Sequence, residues 1–529
     1  MADARKVVVA VDIGSTSARA GVFDEHGTRL ARGEHGFATQ RPVKDHAEHS
    51  SAEIWRAVCA ATREAVRSAG VTPDAVAGLA FDATCSLVML DRNGRPVTVS
   101  TTGDDAWNVV MWADHRALAE ADEITATKHR VLDYVGGVMS PEMELPKLLW
   151  LKLHLPKAWP RYALALDLAD FLTWKTTGRV AASACTLTCK WTYLNHEANG
   201  WQRDLFAQIG LADLPERGGL PKAAMPIGAL AGPLTAAAAA ELGLTERCVV
   251  GVGLIDAHAG GVGLLGHLGD AEFDRTIAMI AGTSTCHMAV SREPRNIPGV
   301  WGPYFGAMLP GLWLNEGGQS ASGALLDHIL DWHAEGRGLG AGRHQKVFAR
   351  LQELLAKEGP GLAGALHVLP DFHGNRSPLA DPLATGAISG LTLDSSFDSL
   401  ACLYYATAVG IALGTRHIID AMNARGYDIG TLYLTGGHVA NPLLVKLYAD
   451  ATGCRVMIPG EEDSVLLGTA IVAAAAAGVH DSIGDAARAM IHPGRTIEPT
   501  AGTADLFARR YRQFLLMHEH QRALKAIEA

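Results

Sequence analysis

The chain has 529 residues, of which 48% are hydrophobic, so it is long enough for either two large lobes or several small domains. Its net charge of −10 argues against a nucleic-acid or membrane partner, because phosphate-rich surfaces select basic patches, although a small anionic ligand needs only a local positive site. Eight cysteines are scattered without regular spacing, and the pair Cys185 and Cys189 has no second pair, which disfavours a disulfide framework and a zinc site.

The N-terminal segment predicts a β-hairpin whose turn is rich in small hydroxyl residues. Two apolar strands flank the turn, with Asp12 before it and Arg19 after it, and the turn consists of Gly14, Ser15, Thr16 and Ser17. Turn N–H groups and hydroxyls are donors suited to phosphate oxygens, whereas an acid beside phosphate requires an intervening cation. Two interpretations are open: an ordinary hairpin in which Asp12 satisfies turn amides, or a phosphate loop with Mg²⁺ beside Asp12.

The first half of the chain predicts alternating strands and helices. Its initial apolar run is too short for a signal peptide, so we expect a cytoplasmic protein. Residues 76–97 predict two strands separated by a polar break, the second ending in an Asn-Gly turn. Residues 144–156 predict a helix, and residues 167–178 predict a short helix closed by Gly178.

Residues 251–266 are rich in glycine, and we place the boundary between two lobes there. They include one G-x-G-x-x-G pattern, Gly261 to Gly266, which follows D-A-H-A-G rather than a strand and so lacks the context of a dinucleotide site. The sequence has no G-x-x-x-x-G-K-[ST], H-E-x-x-H or G-x-S-x-G pattern, which excludes a P-loop and disfavours zinc-protease and nucleophile-elbow chemistry.

Residues 276–290 repeat the N-terminal pattern about half a chain later. An apolar strand is followed by a turn of Gly282, Thr283 and Ser284 and then by a second apolar strand. A repeat at this distance predicts two similar α/β lobes, because solenoid periods are only about 20–50 residues. Two such turns in a matched arrangement favour a clamp that closes on a nucleotide from both sides.

The remaining C-terminal patterns continue the α/β alternation. Residues 431–453 predict a strand, a Gly-Gly turn and a helix, and residues 463–478 predict a long buried helix. The longest apolar stretch, residues 466–479, is too short and too alanine-rich to span a bilayer. The final residues, 504–529, predict an amphipathic, exposed helix.

These motifs resemble, in their order along the chain, those of the FGGY carbohydrate kinases of the sugar kinase/Hsp70/actin group. D-I-G-S-T-S-A-R at 12–19 resembles the first phosphate motif, and A-G-T-S-T at 281–285 resembles the second. L-T-G-G-H-V-A-N-P at 434–442 resembles the adenosine motif, and G-L-I-D-A-H-A-G-G at 253–261 resembles the segment with the catalytic aspartate. The segments E-L-P-K-L-L-W-L-K and A-T-G-A-I-S-G-L-T-L-D-S-S fit two further family patterns only in part.

The resemblance implies an α/β fold of two actin-like, ribonuclease H-like lobes with a cleft between them. The N-terminal lobe would span residues 1–258 and hold the sugar and the first phosphate turn. The C-terminal lobe would span residues 259–495 and hold the nucleotide, and residues 496–529 would form a helical tail.

The resemblance also implies ATP and Mg²⁺ as cofactors. The ATP site would consist of the two turns, the adenosine motif and nearby polar residues, namely Gly14, Ser15, Thr16, Ser17, Arg19, Gly282, Thr283, Ser284, Gln319, Gly436, Gly437 and Asn441. Asp256 would be the general base, although an aspartate at this place also suits a helix N-cap. Asp12 and Asp256 would be the metal-side residues, and since only the first turn carries an acid, we expect Mg²⁺ nearer the N-terminal hairpin.

The run T-C-S-L-V at 84–88 resembles the D-ribulokinase-type branch of the family. The resemblance implies a sugar site of polar and aromatic side chains, namely Asp82, Thr84, Trp112, Asp114, Lys190, Asp256 and Glu316. Simpler interpretations are open for three of them: Asp114 pairing with Arg116, Trp112 in the core, and Lys190 as a solvated side chain.

Together, these features predict ATP-dependent phosphorylation of the terminal hydroxyl of a pentulose, with D-ribulose to D-ribulose 5-phosphate as the first candidate. L-ribulose, D-xylulose, ribitol or another polyol are alternative substrates. A nucleotide-driven conformational protein like actin or Hsp70, and a catalytically silent sugar sensor, are alternatives from other classes. The expected partners are ATP and a small sugar, with a homodimer as a further possibility.

Overall fold

The predicted N-terminal hairpin forms the centre of a seven-stranded sheet, and its first strand is buried along its full length. The computed structural model describes residues 6–528. The strands are β1 (Val7–Ile13), β2 (Ser17–Asp24), β3 (Arg29–Gly36), β4 (Glu48–His49), β5 (Val76–Ala83), β6 (Leu87–Leu90), β7 (Val109–Val110), β8 (Leu164–Asp167), β9 (Leu230–Pro233), β10 (Val249–Gly251), β11 (Leu254–Ile255), β12 (Thr276–Ala281), β13 (Thr285–Ser291), β14 (Trp301–Phe305), β15 (Trp313–Gln319), β16 (His367–Leu369), β17 (Ala387–Ser389), β18 (Thr431–Thr435), β19 (Arg455–Ile458) and β20 (Arg495–Ile497).

Helices cover the sheets and fill the connections. The α-helices are α1 (Ser51–Ala69), α2 (Leu118–Ala126), α3 (Glu144–His154), α4 (Leu168–Thr177), α5 (Ala184–Lys190), α6 (Arg203–Gln208), α7 (Leu214–Arg217), α8 (Ala236–Leu242), α9 (Asp256–Leu265), α10 (Asp270–Phe273), α11 (Gly323–Trp332), α12 (Ala334–Arg337), α13 (Arg343–Glu358), α14 (Phe397–Asn423), α15 (Pro442–Thr452), α16 (Ser464–Ala476), α17 (Ile483–Met490) and α18 (Ala504–Glu528). Short 3-10 helices span Pro73–Ala75, Arg130–Tyr134, Trp159–Arg161, Gly359–Gly361 and Gly437–Ala440.

Two sheets of seven strands repeat one plan. The N-terminal sheet has the order β3-β2-β1-β5-β10-β9, with β11 also paired to β5, and the C-terminal sheet has the order β14-β15-β13-β12-β18-β19-β20. In each sheet an antiparallel hairpin is extended on one side by a third antiparallel strand and on the other by two parallel strands. The predicted repeat and the two-lobed α/β fold are confirmed.

Helices α9 and α16 pack closely on each other between the two sheets. Helix α16 lies on β1, β5 and β10 of the N-terminal sheet, whereas α9 contacts β12 and β18 of the C-terminal sheet. A Cβ atom on Gly263 would lie 2.1 Å from the Ser464 carbonyl oxygen, and one on Gly468 would lie 1.8 Å from the Ala259 carbonyl oxygen. The G-x-G-x-x-G pattern therefore serves helix packing inside α9 and not a nucleotide turn.

The predicted boundary between the lobes, at 258/259, does not fully separate the two parts of the chain. That position falls within α9, after the last N-terminal strand β11 and before the first C-terminal strand β12. Helix α16, which comes late in the chain, covers the N-terminal sheet. The predicted division thus lies between the strands of the two sheets, while α16, from the C-terminal part of the chain, packs on the N-terminal sheet.

Two expectations about apolar helices need correction. The longest apolar helix is α14, not the stretch at 466–479, and α14 is long and apolar enough to cross a membrane by composition alone. Most of it is buried in the core of the C-terminal lobe, which accounts for its composition. Helix α18 is also less exposed than predicted, since it packs on α14, α15 and β16, and its Phe507, Tyr511 and Phe514 are buried in the C-terminal core.

The close approach of α9 and α16 predicts the effect of one added methyl group. Gly468→Ala is expected to lower the free energy of unfolding by about 1–3 kcal/mol, because the new Cβ overlaps the α9 backbone. Chemical denaturation followed by circular dichroism measures the change. The matched control is Gly338→Ala, since no atom lies within 4 Å of a Cβ there, and equal stability of the two variants would contradict the packing argument.

Candidate active site

The first turn presents donors to the cleft and holds Asp12 beneath them. The Gly14 N–H donates to the Ser17 carbonyl at 3.0 Å, and Thr16 is exposed at the apex. Asp12 lies opposite Arg19 in the ladder between β1 and β2, and the two side chains form an ion pair. Burial nevertheless raises the pKa of Asp12, and its Oδ1 atom is buried without a hydrogen-bond partner.

Asp82 lies beside Asp12 rather than open to a sugar. The two residues are neighbours in the parallel ladder between β1 and β5, and the Asp82 side chain is fully buried. The Thr469 hydroxyl of α16 donates to Asp82 Oδ2 at 2.5 Å. Burial and the adjacent Asp12 raise the pKa of Asp82 well above its ordinary value. The expectation that Asp82 reads sugar hydroxyls is therefore not supported, because its carboxyl is enclosed by β1 and α16.

Asp256 is the first residue of α9, at the base of the cleft. Its Oδ1 accepts the Ala257 N–H at 2.7 Å, while Ile255 holds the N-cap position, so the N-cap alternative is wrong for Asp256. Burial and the nearby Asp12 raise the pKa of Asp256 to about 6, although its side chain remains partly accessible. A carboxyl with this pKa can hold or release a proton near neutral pH.

The second turn is one residue shorter than the first and is tied to α11. Gly282 N–H donates to the Ser284 carbonyl at 2.9 Å, and Thr283 is exposed at the apex. The carbonyl of Gly282 accepts the Gly323 N–H at 3.0 Å, where any Cβ on Gly323 would lie 2.5 Å from that oxygen. The turn is therefore held rigidly, with its apex free.

Beside the second turn lies a largely apolar cavity of about 450 Å³. Its walls combine apolar and polar side chains, including Leu326, Phe348, Tyr404, His438 and Asn441. Its volume is in the range of small-molecule pockets. Gly437 also lines the cavity, and Gly436, at φ +92° and packed on the Ala281 carbonyl, sets the path of the chain there. Asn441 caps α15 and donates to the Tyr404 hydroxyl at 3.2 Å.

Gln319 does not face this cavity, contrary to expectation. It ends β15, and its Nε2 donates to the Ile411 carbonyl of α14 at 3.0 Å. The Thr415 hydroxyl lies 3.5 Å from Gln319 Oε1. The amide is therefore used to join β15 to α14 and is unavailable to a nucleotide in this conformation.

On the N-terminal side of the cleft, Trp112 and Thr84 lie near the first turn. The Trp112 indole N–H donates to the Ser15 hydroxyl at 2.9 Å, and its backbone N–H donates to the Ser86 hydroxyl at 3.1 Å. Thr84 is buried, with its hydroxyl 3.2 Å from that of Ser86. Trp112 is only partly buried, so an apolar face is available beside the phosphate turn.

Asp114 pairs with Arg116, as in the simpler of its two interpretations. It is fully buried, and both carboxylate oxygens accept from the Arg116 guanidinium at 2.7 and 2.8 Å. Arg116 also donates to Glu48 at 2.8 Å, and the Ala47 N–H donates to Asp114. Asp114 therefore has no free acceptor for a sugar, and its predicted role in substrate binding is not supported.

Lys190, at the end of α5, and Glu316, on β15, are both buried and act on each other electrostatically. Lys190 is buried and its Nζ lies 4.4 Å from the centre of the Trp301 ring. Burial works against its charge, but Cys85, Glu316 and Glu142 raise the pKa of Lys190 above its ordinary value. The solvated alternative for Lys190 is therefore wrong.

His258, on the first turn of α9, joins Glu316 to α5. Its Nε2 lies 3.1 Å from Glu316 Oε2, and its Nδ1 lies 3.0 Å from the Cys185 sulfur and 3.8 Å from the Cys189 sulfur. Although burial opposes the charge, His258, Lys190 and Arg376 lower the pKa of Glu316 to about 2. Burial also opposes ionisation of Cys185, but Cys189 and His258 lower the pKa of Cys185 to about 5. Glu316 is thus held as a carboxylate.

Sequence reasoning missed four residues around this group: Glu142, His258, Trp301 and Arg376. His258 lies two residues after Asp256 in the first turn of α9, and this closeness in sequence is the signal that indicates it. The other three come from separate segments, and no local pattern places them together. Arg376 donates to Glu142 Oε1 at 3.2 Å, and its guanidinium carbon lies 5.6 Å from the Trp301 ring centre.

The carboxylates at the first turn fit Mg²⁺. Asp12 Oδ1 is buried and accepts no N–H or hydroxyl donor, and carboxylate oxygen is the ligand that Mg²⁺ prefers. The enclosed Asp82 carboxyl lies beside Asp12 and adds negative charge there when ionised. Among residues 6–528, no group of three or more His, Cys, Asp or Glu side chains is arranged as a complete metal site. This agrees with the usual binding of Mg²⁺ through one or two carboxylates together with substrate phosphates.

Comparisons with known proteins agree with the arrangement. Models of the N-terminal and C-terminal domains of the FGGY family of carbohydrate kinases match residues 7–263 and 277–477. An FGGY carbohydrate kinase domain-containing protein of Danio rerio is 48% identical over 536 residues, covering 97% of both chains. The human protein of that description is 44% identical, covering 98% of this chain and 97% of its own. A D-ribulokinase of Saccharomyces cerevisiae is 37% identical, covering 89% of this chain and 72% of its own.

Solved structures share the fold. A xylulose kinase from Rhodospirillum rubrum superposes with a TM-score of 0.80 at 23% identity, covering 98% of this chain and 99% of its own. A glycerol kinase from Plasmodium falciparum with ADP superposes with a TM-score of 0.78 at 13% identity, covering 97% and 98%. The repeated lobes, the paired turns and the two family domains lead to one conclusion: this chain belongs to the FGGY family of carbohydrate kinases and is a sugar kinase.

Proposed function

We propose that the chain transfers the γ-phosphoryl group of ATP to the terminal hydroxyl of a pentulose, with D-ribulose as the first candidate. The observation that carries the proposal is the position of Asp256, partly accessible at the start of α9, where burial and the nearby Asp12 raise its pKa to about 6. The 37% identity to a yeast D-ribulokinase supports D-ribulose. Family membership leaves no support for a conformational protein like actin or Hsp70.

Asp256 has the properties of a general base in this reaction. Its carboxylate takes the proton of the sugar hydroxyl while the hydroxyl oxygen forms a bond to the γ-phosphorus. The bond between the γ-phosphorus and the bridging oxygen breaks, and ADP leaves with that oxygen. The base is partly accessible and lies at a helix start, so a sugar can reach it without displacing the protein core.

The two turns supply the donors for the phosphates. The apices at Thr16 and Thr283 are exposed, while the flanking backbone of each turn is fixed by hydrogen bonds. The cavity beside the second turn suits the adenosine, since it is apolar with a few polar groups. Asp12 would hold Mg²⁺ through Oδ1, which no N–H or hydroxyl group of the protein contacts, and the ion would neutralise charge on the phosphate oxygens.

The polar group around Lys190 suits a ketose. Lys190 is a buried ammonium that can donate to a carbonyl oxygen, and Glu316 is a buried carboxylate that can accept from hydroxyl groups. The fold shared with xylulose kinases keeps D-xylulose as an alternative, together with L-ribulose and ribitol. A few hydrogen bonds separate these sugars, so the choice among them is an experimental question.

The deciding experiment is ADP release from Mg-ATP across a panel of pentuloses and pentitols, ranked by kcat/KM. We expect D-ribulose to give the highest value, with the sugar phosphate confirmed by mass spectrometry. A different sugar at the head of the ranking would replace D-ribulose but keep the sugar-kinase reaction. Absence of sugar-stimulated ADP release throughout the panel would refute the proposed activity and favour a silent sugar sensor.

Asp256→Asn is expected to lower kcat by about 10²–10⁴-fold, because the amide cannot accept the hydroxyl proton. ATP binding, measured by calorimetry, is expected to stay within a factor of two or three. Asp270→Asn is the matched control, since Asp270 is an exposed residue that pairs with Arg292. Comparable kcat values for Asp256→Asn and the control would show that Asp256 is not the base.

The acid limb of the pH profile follows from the pKa of Asp256, which burial and Asp12 raise to about 6. Above this value the carboxylate is ionised and can accept a proton; below it the carboxyl is protonated and inactive. We therefore expect kcat/KM to be nearly constant above about pH 7 and to fall about tenfold per pH unit well below pH 6. A profile that is flat from pH 8 to pH 5 would contradict this assignment.

A further inference from the structure

An ion pair between Glu142 and Arg376 crosses the cleft at the sugar side. Glu142 lies just before α3 on the N-terminal side, and Arg376 lies in the segment between β16 and β17 on the C-terminal side. The Arg376 Nη2 atom donates to Glu142 Oε1 at 3.2 Å. The two residues are 234 positions apart in sequence, so the contact depends entirely on how the two sides of the cleft meet.

Both charges are largely withdrawn from water. The side chain of Arg376 is 15% exposed and that of Glu142 is 14% exposed, which is low for residues of these types. Despite burial, Arg376 and Lys190 lower the pKa of Glu142, so the carboxylate is held ionised. Removing one partner would leave the other charge buried and unpaired, so in this arrangement each residue depends on the other across the cleft.

Arg376 is also part of the wall around Glu316 and Lys190. Its guanidinium carbon lies 5.6 Å from the Trp301 ring centre, and Lys190 Nζ lies 4.4 Å from the same centre. A Cβ on Gly318 would lie 2.9 Å from the Arg376 Cδ, so the arginine stem packs directly on β15, two residues beyond Glu316. The segment that carries Arg376 is fixed by Asn375, which donates to Asp371 and pairs with Asp381.

We propose that the Glu142–Arg376 ion pair closes the cleft over the sugar and that Arg376 is thereby a determinant of sugar affinity. The inference rests on the proposed function, since it assigns the pocket around Lys190 and Glu316 to the sugar. The adenosine cavity is lined by other residues, so the pair acts on the sugar and not on ATP. Closure also excludes water from the phosphoryl group, so its loss raises ATP hydrolysis relative to sugar phosphorylation.

A double-mutant cycle tests the pair. Glu142→Gln and Arg376→Gln are each expected to raise the KM for D-ribulose tenfold or more, with less than a twofold change in the KM for ATP. The double variant is expected to resemble the weaker-binding single variant, because both substitutions remove the same interaction. Arg376→Lys keeps the charge, so its KM for D-ribulose is expected to lie between those of wild type and Arg376→Gln. This variant replaces Arg376→Gln in the test if Arg376→Gln does not fold.

Arg350→Gln is the matched control, since Arg350 pairs with Asp398 at the surface of the C-terminal lobe. A sugar KM in the Arg376 variants equal to that of the control, or a multiplicative effect in the double variant, would overturn the inference.

Small-angle scattering distinguishes a failure of this inference from a failure of the proposed function. We expect D-ribulose with a non-hydrolysable ATP analogue to compact the wild type more than either variant, whether or not D-ribulose is phosphorylated. Equal compaction of wild type and variants would contradict the role of the ion pair. A wild type that becomes compact with D-ribulose but does not phosphorylate it would contradict the proposed activity alone.

Discussion

The contact between α9 and α16 determines where the chemistry of this kinase lies. Helix α9 begins with Asp256, and α16 carries Thr469, which donates to Asp82, while Asp463 at its N-cap lies 3.6 Å from Arg19. Glycines allow the two helix backbones to touch, which no larger residue permits. One helix pair therefore positions the proposed base, the acid pair beside the first turn, and the arginine of that turn.

The charged residues of the cleft form two groups that differ in their ratio of acids to bases. Near the first turn, Asp12, Asp82 and Asp256 outnumber Arg19. Burial raises the pKa of each acid, and repulsion by Asp12 adds to the effect on Asp82 and Asp256. That group suits a cation and a proton acceptor. Around Lys190 and Glu316, where we propose that the sugar binds, acids and bases are paired through direct contacts, as with His258 and Glu316. A neutral polyol fits a site of balanced charges, because its hydroxyl groups both donate and accept.

Sequence patterns predicted the paired hairpins, the repeat and several helices, α3, α4 and α16 among them, because each depends on local periodicity and turn composition. They could not predict which way every polar side chain faces. Glu316 and Gln319 are three residues apart on β15, so they lie on opposite faces, one toward the sugar side and the other toward α14. Asp82 is enclosed only because α16, nearly 400 residues later, covers it. Glu142, Trp301 and Arg376 meet through tertiary structure alone.

The placement of α16 also constrains how the protein acquires its structure during synthesis. The N-terminal sheet is formed by residues 7–255, yet one of its faces is covered by a helix that ends at Ala476. Until that helix leaves the ribosome, β1, β5 and β10 expose valine-rich surface, which is the kind of surface that chaperones bind and that promotes aggregation. One face of the N-terminal sheet is therefore covered only when the second half of the chain is nearly complete.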